Sequence, residues 1–141
     1  PFSGDINIVK LNFNQDNLKF LKDVLQELSE EKDISGDYWV DGGDGYYYYM
    51  NILESRKPTS KESDYKTTEL LSSVELKYGL PAVYENKKLI VDVKAEAVQA
   101  TKYDTNNDNI DEFQFESNWR RLSNDIKRLL KKIIDPNYKE N

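Results

Sequence analysis

The sequence predicts an α+β fold: a mainly antiparallel sheet of about five strands with three helices packed on it, in the order β-α-β-β-α-β-β-α. Two observations carry this prediction. Stretches that alternate apolar with polar residues, the period of a half-buried strand, interleave with stretches whose apolar residues recur every three or four positions, the period of a helix burying one stripe. The chain of 141 residues is also long enough to bury an ordinary core, and its 2 Trp, 10 Tyr and 5 Phe argue against disorder despite only 38% hydrophobic residues. No repeat of twenty to fifty residues divides it, so residues 1–141 read as one domain.

The elements follow in order. Ile6 and Ile8, then Val9, Leu11 and Phe13, alternate with polar residues, and the phase slip at Ile8 and Val9 suggests a strand carrying a bulge. Asn14 stands at an N-cap position, and Leu18, Leu21, Val24, Leu25 and Leu28 at helical spacing predict a helix over 15–30. Aromatic-rich runs over 37–41 and 45–53 flank Asp41-Gly42-Gly43-Asp44-Gly45, whose glycines supply the positive φ of a tight hairpin. Residues 56–64, RKPTSKESD, lack periodicity and are expected to form a mobile, protease-sensitive loop.

Ser63 or Asp64 then caps a predicted helix over 65–78 with Leu70, Leu71, Val74 and Tyr78 on one side, stopped by Gly79 and Pro81. Leu89, Val91, Val93, Ala95 and Ala97 alternate against Asp92, Lys94 and Glu96, predicting a half-buried strand. A turn at 106–109 leads into a last short strand through Ile110, Phe113 and Phe115. Ser117 is expected to cap the final helix, whose stripe is Trp119, Leu122, Ile126, Leu129, Leu130 and Ile133 and whose end is set by Pro136, leaving 135–141 as a frayed tail.

Composition narrows function. With Cys 0 and His 0 the chain has no thiolate nucleophile, no imidazole base and no Cys- or His-ligated metal, so few enzyme mechanisms remain. An Asp41–Asp44 carboxylate pair is formally available, but it lies in a Gly-rich turn with no sign of a sugar cleft. Gly42, Gly43 and Gly45 precede a strand rather than a helix, the wrong context for a phosphate loop. The expectation is a non-enzymatic chain with no catalytic residue, no metal and no cofactor.

The net charge of −6 conceals two halves. Residues 1–116 carry 13 basic and 23 acidic side chains, whereas 117–141 carry 7 basic and 3 acidic. The acidic body suits a basic protein target and repels phosphates. No run approaches the ~18 apolar residues of a membrane span. A cytoplasmic location is favoured, with secretion as the alternative were a signal peptide to precede Pro1.

Three surfaces could recognise something. In the hairpin, Tyr38, Asp41, Asp44, Tyr47 and Tyr49 are the candidate partner-binding residues: strand alternation puts Tyr47 and Tyr49 on one face and Tyr46, Tyr48 and Met50 on the other. Only one of these faces can look at the helices, so the other meets a second layer or offers tyrosines framed by acids to a partner. The plainer reading has tyrosines packed at a sheet margin with their hydroxyls in water. The final helix sets Arg120, Arg121, Lys127, Arg128, Lys131 and Lys132 opposite its apolar stripe, a pattern that could grip nucleic acid or an anionic membrane, or simply pair with the acidic body. Asp104, Asn106 and Asp108 match the first, third and fifth positions of an EF-hand loop, but Asn109 replaces the glycine and Phe115 the closing glutamate, so a turn is the better reading. The leading expectation is an acidic binding or inhibitory domain, such as a toxin-neutralising immunity protein or a phage-type inhibitor. The alternatives are a nucleic-acid- or membrane-associated accessory factor acting through the basic helix, and a secreted surface module.

Overall fold

The glycine-rich hairpin organises the centre of the structure, a computed structural model describing residues 9–77, 79, 82, 86, 88 and 90–140. Strand β3 (Trp39–Asp41) pairs antiparallel with β4 (Tyr47–Tyr49), Val40 opposite Tyr48, and the turn between them holds Gly43 and Gly45 at positive φ, as the sequence predicts. Gly42 is fixed by space instead: an added Cβ would stand 2.6 Å from the Tyr48 ring.

The predicted helix over 15–30 begins late. Asn14 does cap, but it caps a 3-10 turn at Gln15–Asn17, its side chain accepting from the Asp16 amide at 3.2 Å. Leu18–Phe20 then form strand β2, parallel to β3, and helix α1 occupies only Leu21–Ser29. Parallel neighbours need a crossover, and α1 supplies it. The backbone of 18–20, which helical periodicity claimed, gains more from the ladder beside Trp39–Asp41. Helix α1 closes with the Lys32 amide on the Glu27 carbonyl and Glu31 in the left-handed region, a Schellman-type end built without glycine.

Strand β1 (Val9–Phe13) lies where the alternation predicts, with Ile6 and Ile8 outside the described residues. Its irregularity falls between Asn12 and Phe13, where Ser72 is the extra residue on the opposite strand. That partner corrects the predicted helix over 65–78. Helix α2 is the single turn Glu62–Tyr65, most of it in the stretch 56–64 expected to be a loop, and Leu71–Leu76 is strand β5, antiparallel to β1. Leu70, Leu71 and Val74 fit a helix by spacing. Yet Ser72 and Ser73 sit between them, and β1 offers a full row of amides and carbonyls, a nonlocal partner that propensity does not register.

Residues 91–101 contain no regular secondary structure, so the strand predicted from Leu89 to Ala97 is not formed there; Leu89 itself lies outside the described residues. The predicted last strand shrinks to β7 (Glu112–Phe113), which pairs antiparallel with β6 (Lys102–Tyr103), a strand before the turn that the sequence did not predict. Gln114–Asn118 turns into helix α3, so Phe115 is helical rather than extended. The final helix α4 runs Asn124–Ile134 and is capped by Ser123, whose Oγ accepts from the Ile126 amide at 3.2 Å, instead of by Ser117. Ser123→Ala should cost about 1 kcal/mol in urea unfolding, whereas Ser117→Ala should leave stability within about 0.5 kcal/mol.

The fold is therefore α+β, but the described residues hold four helices and three sheets, β1-β5, β2-β3-β4 and β6-β7, in place of one five-stranded sheet under three helices. Its pairings are mainly antiparallel, β2-β3 being the exception. Val24 of α1, Ile34, Tyr38, Val40, Tyr48, Met50, Phe113, Phe115, and Ile126, Leu129 and Leu130 of α4 form one buried cluster. Its partly buried margin includes Trp119, Leu122, Ile133 and Tyr138; Tyr138 stands edge-on to Phe113 at 5.7 Å and so lays the C-terminal segment against the core.

Candidate functional site

Strand alternation divides the tyrosine run as the sequence predicts. Val40, Tyr48 and Met50 are buried in the core, and Tyr47 and Tyr49 lie half-buried on the other face. The β2-β3-β4 register assembles that second face in two rows, Leu18–Trp39–Tyr49 and Phe20–Asp41–Tyr47. One end is covered by a second layer: Trp39 Nε1 donates to the Thr68 carbonyl at 2.9 Å, the Tyr49 hydroxyl reaches the Thr68 amide at 3.4 Å, and the Trp39 and Tyr49 rings stand 5.0 Å apart. Phe13 of β1 lies 5.0 Å from Tyr47. Toward the turn the cover stops, and Phe20 is 60% exposed; Tyr46, which alternation sets on the side of Tyr48, precedes β4 and is 53% exposed rather than part of the core.

Two carboxylates, Asp41 and Asp44, frame this open end, while Asp37 stands beside Tyr49 and Thr68 at the covered one. Asp41 accepts from the Gly43 amide at 2.9 Å, and Asp37 from Asn51 Nδ2 at 2.9 Å. Asp44 accepts the Tyr46 amide at 2.9 Å and the Tyr48 hydroxyl at 2.6 Å, tying the turn to the core. Among the described residues no lysine or arginine forms an ion pair with Asp37, Asp41 or Asp44. Burial raises the Tyr47 hydroxyl above its ordinary range, helped by the charge of Asp41; burial likewise raises Tyr48, reinforced by the hydrogen bond to Asp44. These phenols stay protonated at physiological pH, the opposite of the lowered pKa that activates a tyrosine as nucleophile or base.

Tyr38 does not belong to this surface. Only 8% exposed, it donates its hydroxyl to the Ile34 carbonyl and is part of the core. Phe20 is the residue that sequence reasoning missed. Placed inside a predicted helix, it had no role there, and its position off the Leu18, Leu21, Val24, Leu25 stripe was the available signal.

The basic candidates are dispersed. Arg120 and Arg121 lie in the exposed turn between α3 and α4, off the helix face predicted to carry them. On α4, Arg128 pairs with Glu140 at 3.0 Å and Asp125 at 3.7 Å, and Lys131 with Glu116 at 2.6 Å. Burial alone would pull the Lys131 amine down, but Glu116 outweighs it and the amine sits above its ordinary value. Lys132 donates to the Tyr138 carbonyl at 3.1 Å, and Lys127 is half-buried. A shallow cleft of about 430 Å³ beside α3 is lined by Tyr103, Ile110 and this same Lys131–Glu116 pair.

In the EF-hand-like stretch, Asp104 accepts the amides of Asp108 at 3.3 Å and Asn109 at 3.0 Å, and Asp108 accepts that of Ile110 at 2.9 Å. With Asn107 and Asn109 at positive φ, these side chains build the turn between β6 and β7. No helix among the described residues is long and apolar enough to cross a membrane. Compared with protein-family models, with curated proteins and with solved structures, the chain matches none of them.

Proposed function

We propose that the chain is a non-enzymatic acidic binding domain of inhibitory type, of the kind that neutralises a toxin or blocks a nucleic-acid groove. In this reading it docks a basic protein surface against the open end of the β2-β3-β4 sheet. One observation carries the reading: the carboxylates at that end have no cationic partner among the described residues, whereas Arg128 and Lys131 of α4 are answered by the protein's own acids. An uncompensated acidic edge on a body with 23 acidic and 13 basic residues through position 116 speeds encounter with a basic partner and rejects phosphates. Phe20, with Tyr47 and Tyr49 on the same face, supplies the aromatic anchors that interfaces favour.

Affinity capture from the source lysate, followed by binding of the purified partner, tests this. Phe20→Ala removes an exposed side chain, so it should change unfolding free energy by no more than about 0.5 kcal/mol. It should weaken a basic protein partner at least tenfold. Retention of the partner by this variant sinks the assignment of this surface. Nucleic acid bound by the wild type and lost on replacing Arg120, Arg121 and Lys127 would establish the accessory-factor reading instead.

A further inference from the structure

Residues 90–97, Ile-Val-Asp-Val-Lys-Ala-Glu-Ala, carry a strand's alternation but pair with no strand among the described residues. All eight are exposed, Ile90 77%, Val91 47% and Val93 80%, and their backbone makes no hydrogen bond to a described residue. Immediately after them the chain is anchored: Val98 packs on the core cluster and the Thr101 carbonyl accepts the Gln114 amide at 3.0 Å. The segment is thus presented from a fixed root. Branched aliphatics standing in water beside unpaired amides and carbonyls form a template for strand addition.

We infer that this segment pairs antiparallel with the same segment of a second copy of this chain, with Val93 on the two-fold axis. The charges select that partner and register. Centred on Val93, Asp92 of each copy faces Lys94 of the other, Val93 faces Val93, and Val91 faces Ala95. Opposite charges directly across a strand pair stabilise it and like charges weaken it. A parallel in-register pairing opposes Asp92 to Asp92 and Lys94 to Lys94. Antiparallel registers centred on Asp92 or Lys94 also set like charges against each other. A register centred on Ala95 pairs Lys94 with Glu96 but leaves Asp92 against Val98 and puts only alanines at the axis. Within one copy Lys94 already contacts Glu96 at 2.9 Å on the surface, a bond weak enough to exchange for Asp92 of the second copy. Such a two-fold contact is self-complementary and closes after two copies. It is small, so the dimer forms and dissociates with concentration.

Sedimentation equilibrium of the full chain over a broad micromolar range tests this, with circular dichroism as the folding control. Wild type should show a monomer–dimer equilibrium. Asp92→Lys should weaken it roughly tenfold or more by opposing Lys to Lys twice, and adding Lys94→Asp should restore it. A wild type that is monomeric throughout overturns the proposal. So does a dimer indifferent to Asp92→Lys, and so does a double variant that is folded but fails to recover, because the Ala95-centred register predicts both of these results.

Discussion

Replacing Phe115 with Ala is expected to cost about 3–5 kcal/mol of unfolding free energy, the range for truncating a buried aromatic, and so to remove a large part of the stability of a small protein. Phe115 is 1% exposed, lies in α3 and packs 5.9 Å from Phe113 within the cluster completed by Ile126, Leu129 and Leu130 of α4. Its removal leaves a cavity at the place where the C-terminal helices meet the sheet, and the hairpin side of the core cannot close over it without moving α4. Urea unfolding measures the loss. Phe20→Ala is the internal comparison, since the same deletion on an exposed ring should be nearly silent. A Phe115→Ala cost below about 1 kcal/mol would show that the α3–α4 corner is not part of the core.

Stability should fall steeply as pH rises from 10 to 12. Burial pushes the Tyr38 hydroxyl up to about 12, with the charges of Glu27 and Asp33 adding to the effect, and burial raises Tyr48 as well. A tyrosine in the unfolded chain loses its proton near pH 10. The stabilisation is therefore complete below about pH 10, where both states hold the proton. It is lost between about 10 and 12, where the unfolded state binds fewer protons than the native one. Tyr38 alone accounts for roughly 2–3 kcal/mol of that fall. The raised amine of Lys131 acts in the same direction, being needed in its charged form beside Glu116, so the wild-type slope has more than one source. Tyr38→Phe isolates the first. The variant should lose about 1 kcal/mol at pH 8 with the hydrogen bond to the Ile34 carbonyl, yet decline less steeply between pH 10 and 12. Parallel slopes for wild type and variant would contradict a buried phenol at position 38.

The candidate surface was half legible. Alternation along Tyr46–Met50 was enough to separate Tyr48 and Met50 from Tyr47 and Tyr49, because side chains on a strand must point to opposite faces. The acids around the turn were legible as turn formers, and Asp41 and Asp44 act as such on the amides of Gly43 and Tyr46. What alternation could not supply was the neighbour on each side. Phe20 joins the site only through the parallel pairing with Asp41, and Thr68 closes the other end only because β5 brings its chain back beside β1.

Residues 65–78 show the limit most clearly. Their apolar spacing satisfies a helix, and as an isolated segment nothing argues against one. Leu71–Leu76 is a strand because Val9–Phe13, some sixty positions away, presents unsatisfied backbone groups that only an extended partner can meet. The segment 90–97 fails in the opposite sense: its alternation is that of a strand, but it finds no partner among the described residues of its own chain.

By itself, then, the sequence determined the positions of the tight turns, through glycine and asparagine at positive φ, and which face of each well-patterned segment is apolar. It also determined the chemistry excluded by having neither Cys nor His, and the division into an acidic body and a basic end. Those properties are local or additive, so they can be read along the chain. Only the tertiary structure decided which backbone pairs with which, that Tyr38 belongs to the core while Phe20 joins the surface, and that Arg128 and Lys131 of α4 are answered by Glu116, Asp125 and Glu140. Strand pairing and charge compensation depend on groups distant in sequence, and their energies exist only once the fold has brought those groups together.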